Sequence, residues 1–180
     1  MRKFSKKRRN QVWLLVWSLI RLGAVSLLWL NAAFGVVVNV LLDAVDGDMF
    51  ERLGLKRKNY EVWDKWMDLW LLMAMAIYSY YYWERDVVWY AMMFVFSYRF
   101  IGQLVYGIGK REGVLMIFPS LVTEIFFLKE VIPFVFNIDL AFGAPWSTFV
   151  VLAAYGLFKE WWLHIVKLDV SNMLFGRSRW

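Results

Sequence analysis

Residues Val12 to Leu42 read VWLLVWSLIRLGAVSLLWLNAAFGVVVNVLL, an apolar run too long for one crossing of a hydrocarbon core and short for two, since one helical crossing takes about 20 residues. Further apolar segments follow at Lys65 to Trp83, Val87 to Ile108, Gly113 to Phe136 and Trp146 to Val166. Of the 180 residues 61% are apolar, and the mean hydropathy is positive. A soluble domain of this length does not need that much apolar surface, so a bilayer is the expected solvent. Twelve Trp and nine Tyr suit the headgroup level at both membrane faces. The fold class expected is an all-α, polytopic integral membrane helical bundle. No repeat, low-complexity tract or Pro/Gly/Ser-rich linker divides it, so residues 1–180 read as a single transmembrane helical domain with a basic cytosolic segment at residues 1–10.

That segment carries Arg2, Lys3, Lys6, Lys7, Arg8 and Arg9, most of the formal charge of +6. Beside a membrane segment such a cluster sets orientation and meets anionic lipid headgroups, and no nucleic-acid partner is expected. It also resembles the start of a signal peptide, but Val12 to Leu42 is about twice the length of an h-region and lacks a small-residue cleavage site. Charge bias then decides the number of spans. If Val12 to Leu42 is a tight hairpin, fifteen flanking basic residues fall inside and only Arg85 outside; if it is one bent helix, the split is seven against nine. Six spans with both termini in the cytosol are therefore expected, five if the segment is a single span. An interfacial helix at Asn10 to Arg21 followed by one span from Leu22 to Leu42 is the alternative. Ser26 to Asn31 contains neither Gly nor Pro to signal the turn.

On the six-span topology the largest cytosolic loop carries Asp43, Asp46, Gly47, Asp64 and Asp68. Asp43 and Asp46 are three residues apart and Asp64 and Asp68 four, so each pair shares a helix face. Two antiparallel helices would bring all four together. Their mutual repulsion would then call for a divalent cation, and oxygen-only ligands suit Mg²⁺, Mn²⁺ or Ca²⁺. The plainer reading is a set of solvated loop carboxylates countering Arg52, Lys56, Arg57 and Lys58.

These residues resemble the signature of the CDP-alcohol phosphatidyltransferases, D-x2-D-G-x2-A-R-x8-G-x3-D-x3-D, with Asp43, Asp46, Gly47, Asp64 and Asp68 at the family's spacing. Phe50-Glu51 stands where the family has Ala-Arg, Arg52 is displaced by one residue, and Tyr60 replaces the second Gly. The resemblance implies a membrane transferase of phospholipid synthesis that uses Mg²⁺ or Mn²⁺ and takes a lipid phosphate from a nucleotide-linked (CDP-linked) donor to a polar alcohol acceptor. It implies Asp43, Asp46, Asp64 and Asp68 as metal ligands, Asp68 also as general base, Gly47 beside the donor, and an active site at the cytosolic face. Its altered positions leave room for another nucleotide-linked donor or for a member without activity.

Arg99 lies mid-span and Glu124 well inside the next segment, with Lys129 and Glu130 near its end. Charges at such depth face a protein interior or a watery cavity. Arg99 is expected either to hold a substrate phosphate above the carboxylates or to pair with Glu124. Lys110 and Arg111 are candidates for an anionic substrate or lipid, with topological anchoring as the alternative. Pro119 and Pro133 predict a kink that leaves backbone carbonyls to be satisfied by neighbours or a cavity. The lone histidine, His164, excludes a two-His metal site, the absence of cysteine excludes thiolate chemistry, and no phosphate-binding glycine loop is present. Membrane lipids are the remaining expected partners, and homodimerisation stays open. A non-catalytic Trp-rich membrane subunit and a small transporter using Arg99 and Glu124 are the alternative functions.

Overall fold

The computed structural model describes residues 6–53, 57–109, 113–137, 150, 154–159, 161 and 162, and among them every regular element is helical. In chain order these are α1 (Lys6–Ala24), α2 (Leu27–Leu30), α3 (Ala32–Arg52), α4 (Arg57–Tyr82), α5 (Val87–Gly109), α6 (Gly113–Ile117), α7 (Val122–Phe126), a π turn (Phe127–Val131) and α8 (Ile132–Phe136). Two helical stretches, Asn10–Leu30 and Val87–Gly109, are long and apolar enough to cross a membrane.

The run from Val12 to Leu42 folds back on itself. Asn10 bonds the Leu53 carbonyl, Trp17 bonds Asp46, Arg21 bonds Asp43, and Asn39 bonds the Ala24 carbonyl. One residue number falls as the other rises, so α1 and α3 run antiparallel. The turn needs neither proline nor a left-handed glycine. Ser26 bonds the Gly23 carbonyl through both its amide and its hydroxyl. Asn31 then adopts an extended conformation (φ −158°, ψ 115°), and its side chain accepts from the Phe34 amide at 2.9 Å. Asparagine suits this place because its short side chain satisfies a free amide in the first turn of the next helix. Gly35 lets the arms close, since a Cβ there would lie 2.5 Å from the Leu28 nitrogen. A continuous helix from Leu22 to Leu42 is therefore not what the chain forms.

One apolar core joins these elements, with Leu28, Val36, Met75, Met92, Val122 and Phe126 fully enclosed. The outward faces of α1 and α5 instead present Leu15, Leu19, Phe94 and Ile108, the last 88% exposed.

The segment expected as a fifth span is interrupted, as its two prolines predict. α6 ends before Pro119, which cannot donate the bond that would continue the helix onto the Leu115 carbonyl. Arg99 supplies donors instead, to the Leu115 carbonyl at 3.3 Å and the Phe118 carbonyl at 2.7 Å, while the Tyr98 hydroxyl donates to the Ile117 carbonyl. Pro133 follows the π turn and opens α8. The segment Trp146 to Val166 falls largely outside the described residues, and His164 lies there.

Candidate metal centre at the acidic mouth

The acidic residues sit on helices rather than in a loop: Asp43 and Asp46 in the last three turns of α3, Asp64 and Asp68 in the first half of α4. Only the short connection after Arg52 separates the two helices, which turns both acidic faces towards the same end of the bundle. The Asn10 to Leu53 bond places the start of α1 at this end as well.

Asp43, Asp64 and Asp68 converge, each offering a carboxylate oxygen, with all three oxygens within 4.8 Å of one another. Ligand oxygens on opposite sides of a cation lie about 4.2 Å apart for Mg²⁺ and about 4.6–5.2 Å for Ca²⁺, twice the usual bond lengths. The spread therefore fits a hard divalent ion with minor adjustment, and the donor set is of the right chemistry.

Asp46, expected as a fourth ligand, is turned away from this group. Its Oδ2 lies 2.9 Å from the Arg21 Nε, and its Oδ1 accepts from the Trp17 Nε1 at 2.6 Å. Arg21 is 3% exposed, and it also contacts Asp43 Oδ1 at 2.9 Å and donates to the Asn39 carbonyl. A buried guanidinium from α1 thus contacts both carboxylates of α3 and holds Asp46 to the hairpin side, so three of the four expected ligands converge and Asp46 stands outside that group. Gly47, one residue on, is buried within α3.

Lys65 intervenes on the other helix, with its Nζ 3.1 Å from Asp64 Oδ2 and 3.9 Å from Asp68 Oδ2. Gln103 of α5 donates to the Lys65 carbonyl at 2.8 Å, tying this turn of α4 to α5. The Tyr60 hydroxyl reaches Asp64 Oδ1 at 3.2 Å. Phe50 is enclosed, its ring centroid 5.2 Å from that of Tyr60 and 4.3 Å from that of Trp63. Aromatic rings therefore fill the α3–α4 side of the mouth, at the positions of the altered signature residues.

Crowding of like charge and loss of water shape the titration of this group. The Asp43 side chain is 46% exposed, but its carboxyl is crowded by Arg21 on one side and by the Asp64 and Asp68 carboxylates on another. Burial there, reinforced by the charges of Asp68 and Asp64, pushes its pKa well above the usual carboxylate range. Burial raises Asp46 to about 6, although Arg21 and the Trp17 hydrogen bond pull the other way. Tyr60 is raised too, by burial and then by the Asp64 charge.

The charges deeper in the chain pair differently from expectation. Glu124 pairs with Lys159, which also donates to the Ser120 carbonyl, so the expected Arg99–Glu124 pair does not form. Arg99 is instead committed to the carbonyls around the Pro119 break, while its charge is still felt by Asp68 and Lys65. Lys129 pairs with Asp86 at 3.4 Å, and Glu130 accepts from Trp83. Lys110 and Arg111 lie outside the described residues.

Arg21, Trp17 and Lys65 were not singled out by the sequence reading. A charge inside an apolar run was available as a signal for Arg21, and a lysine between two carboxylates of one helix face for Lys65. Comparison with protein-family models, curated proteins and solved structures finds no match to this chain.

Proposed function

We propose that the chain is an integral membrane transferase that uses a divalent metal to move a lipid phosphate from a nucleotide-linked donor to a polar alcohol, in the manner of the CDP-alcohol phosphatidyltransferases it resembles. The observation that carries this reading is the convergence of Asp43, Asp64 and Asp68 from two neighbouring helices to within 4.8 Å. Charged side chains are expensive to gather unless something of opposite charge uses them. The membrane placement is supported by the two long apolar stretches and by the exposed apolar faces of α1 and α5. The basic start of α1 lies at the same end as the acidic mouth, which favours a cytosolic site within a bundle of six spans.

Asp43, Asp64 and Asp68 would hold the ion, Mg²⁺ or Mn²⁺. When bound, it neutralises charge on the donor's phosphate oxygens, the main requirement of phosphoryl transfer. Asp68, a third exposed at the rim, accepts the proton of the acceptor alcohol. The alcohol oxygen forms a bond to the phosphorus bearing the lipid, the bond from that phosphorus to the bridging oxygen breaks, and CMP leaves. Arg21 keeps Asp43 oriented from behind. Because Phe50, Tyr60 and Trp63 close the α3–α4 side, the donor approaches from the side of Asp43 and Asp68.

Purified chain supplied with Mg²⁺ or Mn²⁺, a CDP-linked lipid and a panel of polar alcohols is expected to release CMP with the matching alcohol. Asp68→Asn is expected to lower release at least about a hundredfold, the lower bound for loss of a general base. Release that persists in Asp68→Asn removes the base assignment, and no release with any alcohol removes the transferase reading.

A further inference from the structure

The acidic mouth is built with cations of its own. Asp43, Asp46, Asp64 and Asp68 carry four negative charges when ionised, while Arg21 and Lys65, both in contact with them, return two positive ones. Resting on the metal-site reading above, we infer that Arg21 and Lys65 fix the capacity of this mouth at one divalent cation, with Lys65 filling the position a second ion would take.

Charge balance and geometry agree. The two negative charges left by the contacting cations match one divalent ion, and a second, opposed also by the nearby Arg99 charge, would leave a net positive cluster. Asp46 is held on the hairpin side, its Oδ1 accepting from Trp17 at 2.6 Å and its Oδ2 lying 2.9 Å from the Arg21 Nε, and it stands outside the group of three converging carboxylates. Arg21 is 3% exposed and also bound to the Asn39 carbonyl, so it is a fixed part of the hairpin. Lys65 spans Asp64 and Asp68 on the α4 side, and its own backbone is held by Gln103. What stays open is the side of Asp43, whose side chain is the most exposed of the three converging carboxylates. One ion fits there, against one oxygen from each.

The test is Mn²⁺ binding by the full-length chain in detergent, with free Mn²⁺ counted by electron paramagnetic resonance and no substrate present. The wild type is expected to saturate at one ion per chain. Lys65→Ala is expected to saturate at two, with the broadened signal of two ions in spin contact, and to bind the first about tenfold more tightly or better, because the net charge of the mouth grows by one. Folding of the variant is checked by tryptophan emission and elution volume, and Lys65→Gln carries the same expectation should Lys65→Ala not fold. Two ions on the wild type, or one ion at unchanged affinity on a folded Lys65 variant, overturns the inference. No Mn²⁺ on the wild type at all is a separate result, which removes the metal reading on which the inference rests.

Discussion

Replacing Asp68 by Asn should stabilise the protein without metal and destabilise it relative to wild type with metal. Three carboxylate oxygens lie within 4.8 Å of one another, and at an effective dielectric of roughly 20 two unit charges at that distance repel by about 3.5 kcal/mol. Loss of the Asp68 charge deletes two of the three pairs, about 7 kcal/mol at most. It also deletes the attraction to Lys65 at 3.9 Å, about 4 kcal/mol on the same dielectric, and smaller attractions to Arg99 and Arg21 that reduce the relief further. Asp68 is 34% exposed, and Asp43 takes up a proton more readily than a free carboxyl. Both effects shrink the remaining relief to about 1–2 kcal/mol. A divalent ion at a hundred times its Kd stabilises the wild type by about 2.7 kcal/mol, which the variant largely forgoes. For a chain of this size each kcal/mol moves Tm by roughly 2–4 °C. Tryptophan-fluorescence melts in detergent should therefore place Asp68→Asn about 2–8 °C above wild type in EDTA and invert the order in Mg²⁺ or Mn²⁺. A variant that melts below wild type in EDTA, or a wild type that does not respond to the ion, refutes the account of the mouth as a strained site relieved by metal.

Three further outcomes are expected. Burial raises the Asp46 carboxyl from its ordinary 3.8 to about 6, so its contribution favours folding fully below 3.8 and is lost as pH rises through 6, a change of about 3 kcal/mol; melts of EDTA-treated protein across this window should show a shallower fall for Asp46→Asn. Gly35→Ala should cost about 1–3 kcal/mol by overpacking, because its Cβ meets rigid backbone at Leu28, while Gly23→Ala, with nothing within 4 Å of the new Cβ, should be neutral or stabilising in the same thermal melts. Arg99→Met should leave the Leu115 and Phe118 carbonyls without their side-chain donor, lowering stability by about 1–3 kcal/mol and raising hydrogen exchange of the amides around Pro119.

What the sequence determined by itself is the chemistry and its periodicity. Apolar runs of crossing length require helices, because only a helix satisfies its own backbone within one segment of chain, and spacings of three and four put Asp43 with Asp46 and Asp64 with Asp68 on shared faces. Pro119 and Pro133 announced the broken segment, since a missing N–H is a local property. Partner choice was not local. Whether Asp46 faces a metal or Arg21, whether Glu124 meets Arg99 or Lys159, and whether Lys65 reaches into the mouth or out of it all depend on how helices distant in sequence rotate and pack. Only the tertiary structure decided these, because a buried charge takes whichever opposite charge or carbonyl the packing brings within reach, and that distance is written in no single stretch of the chain.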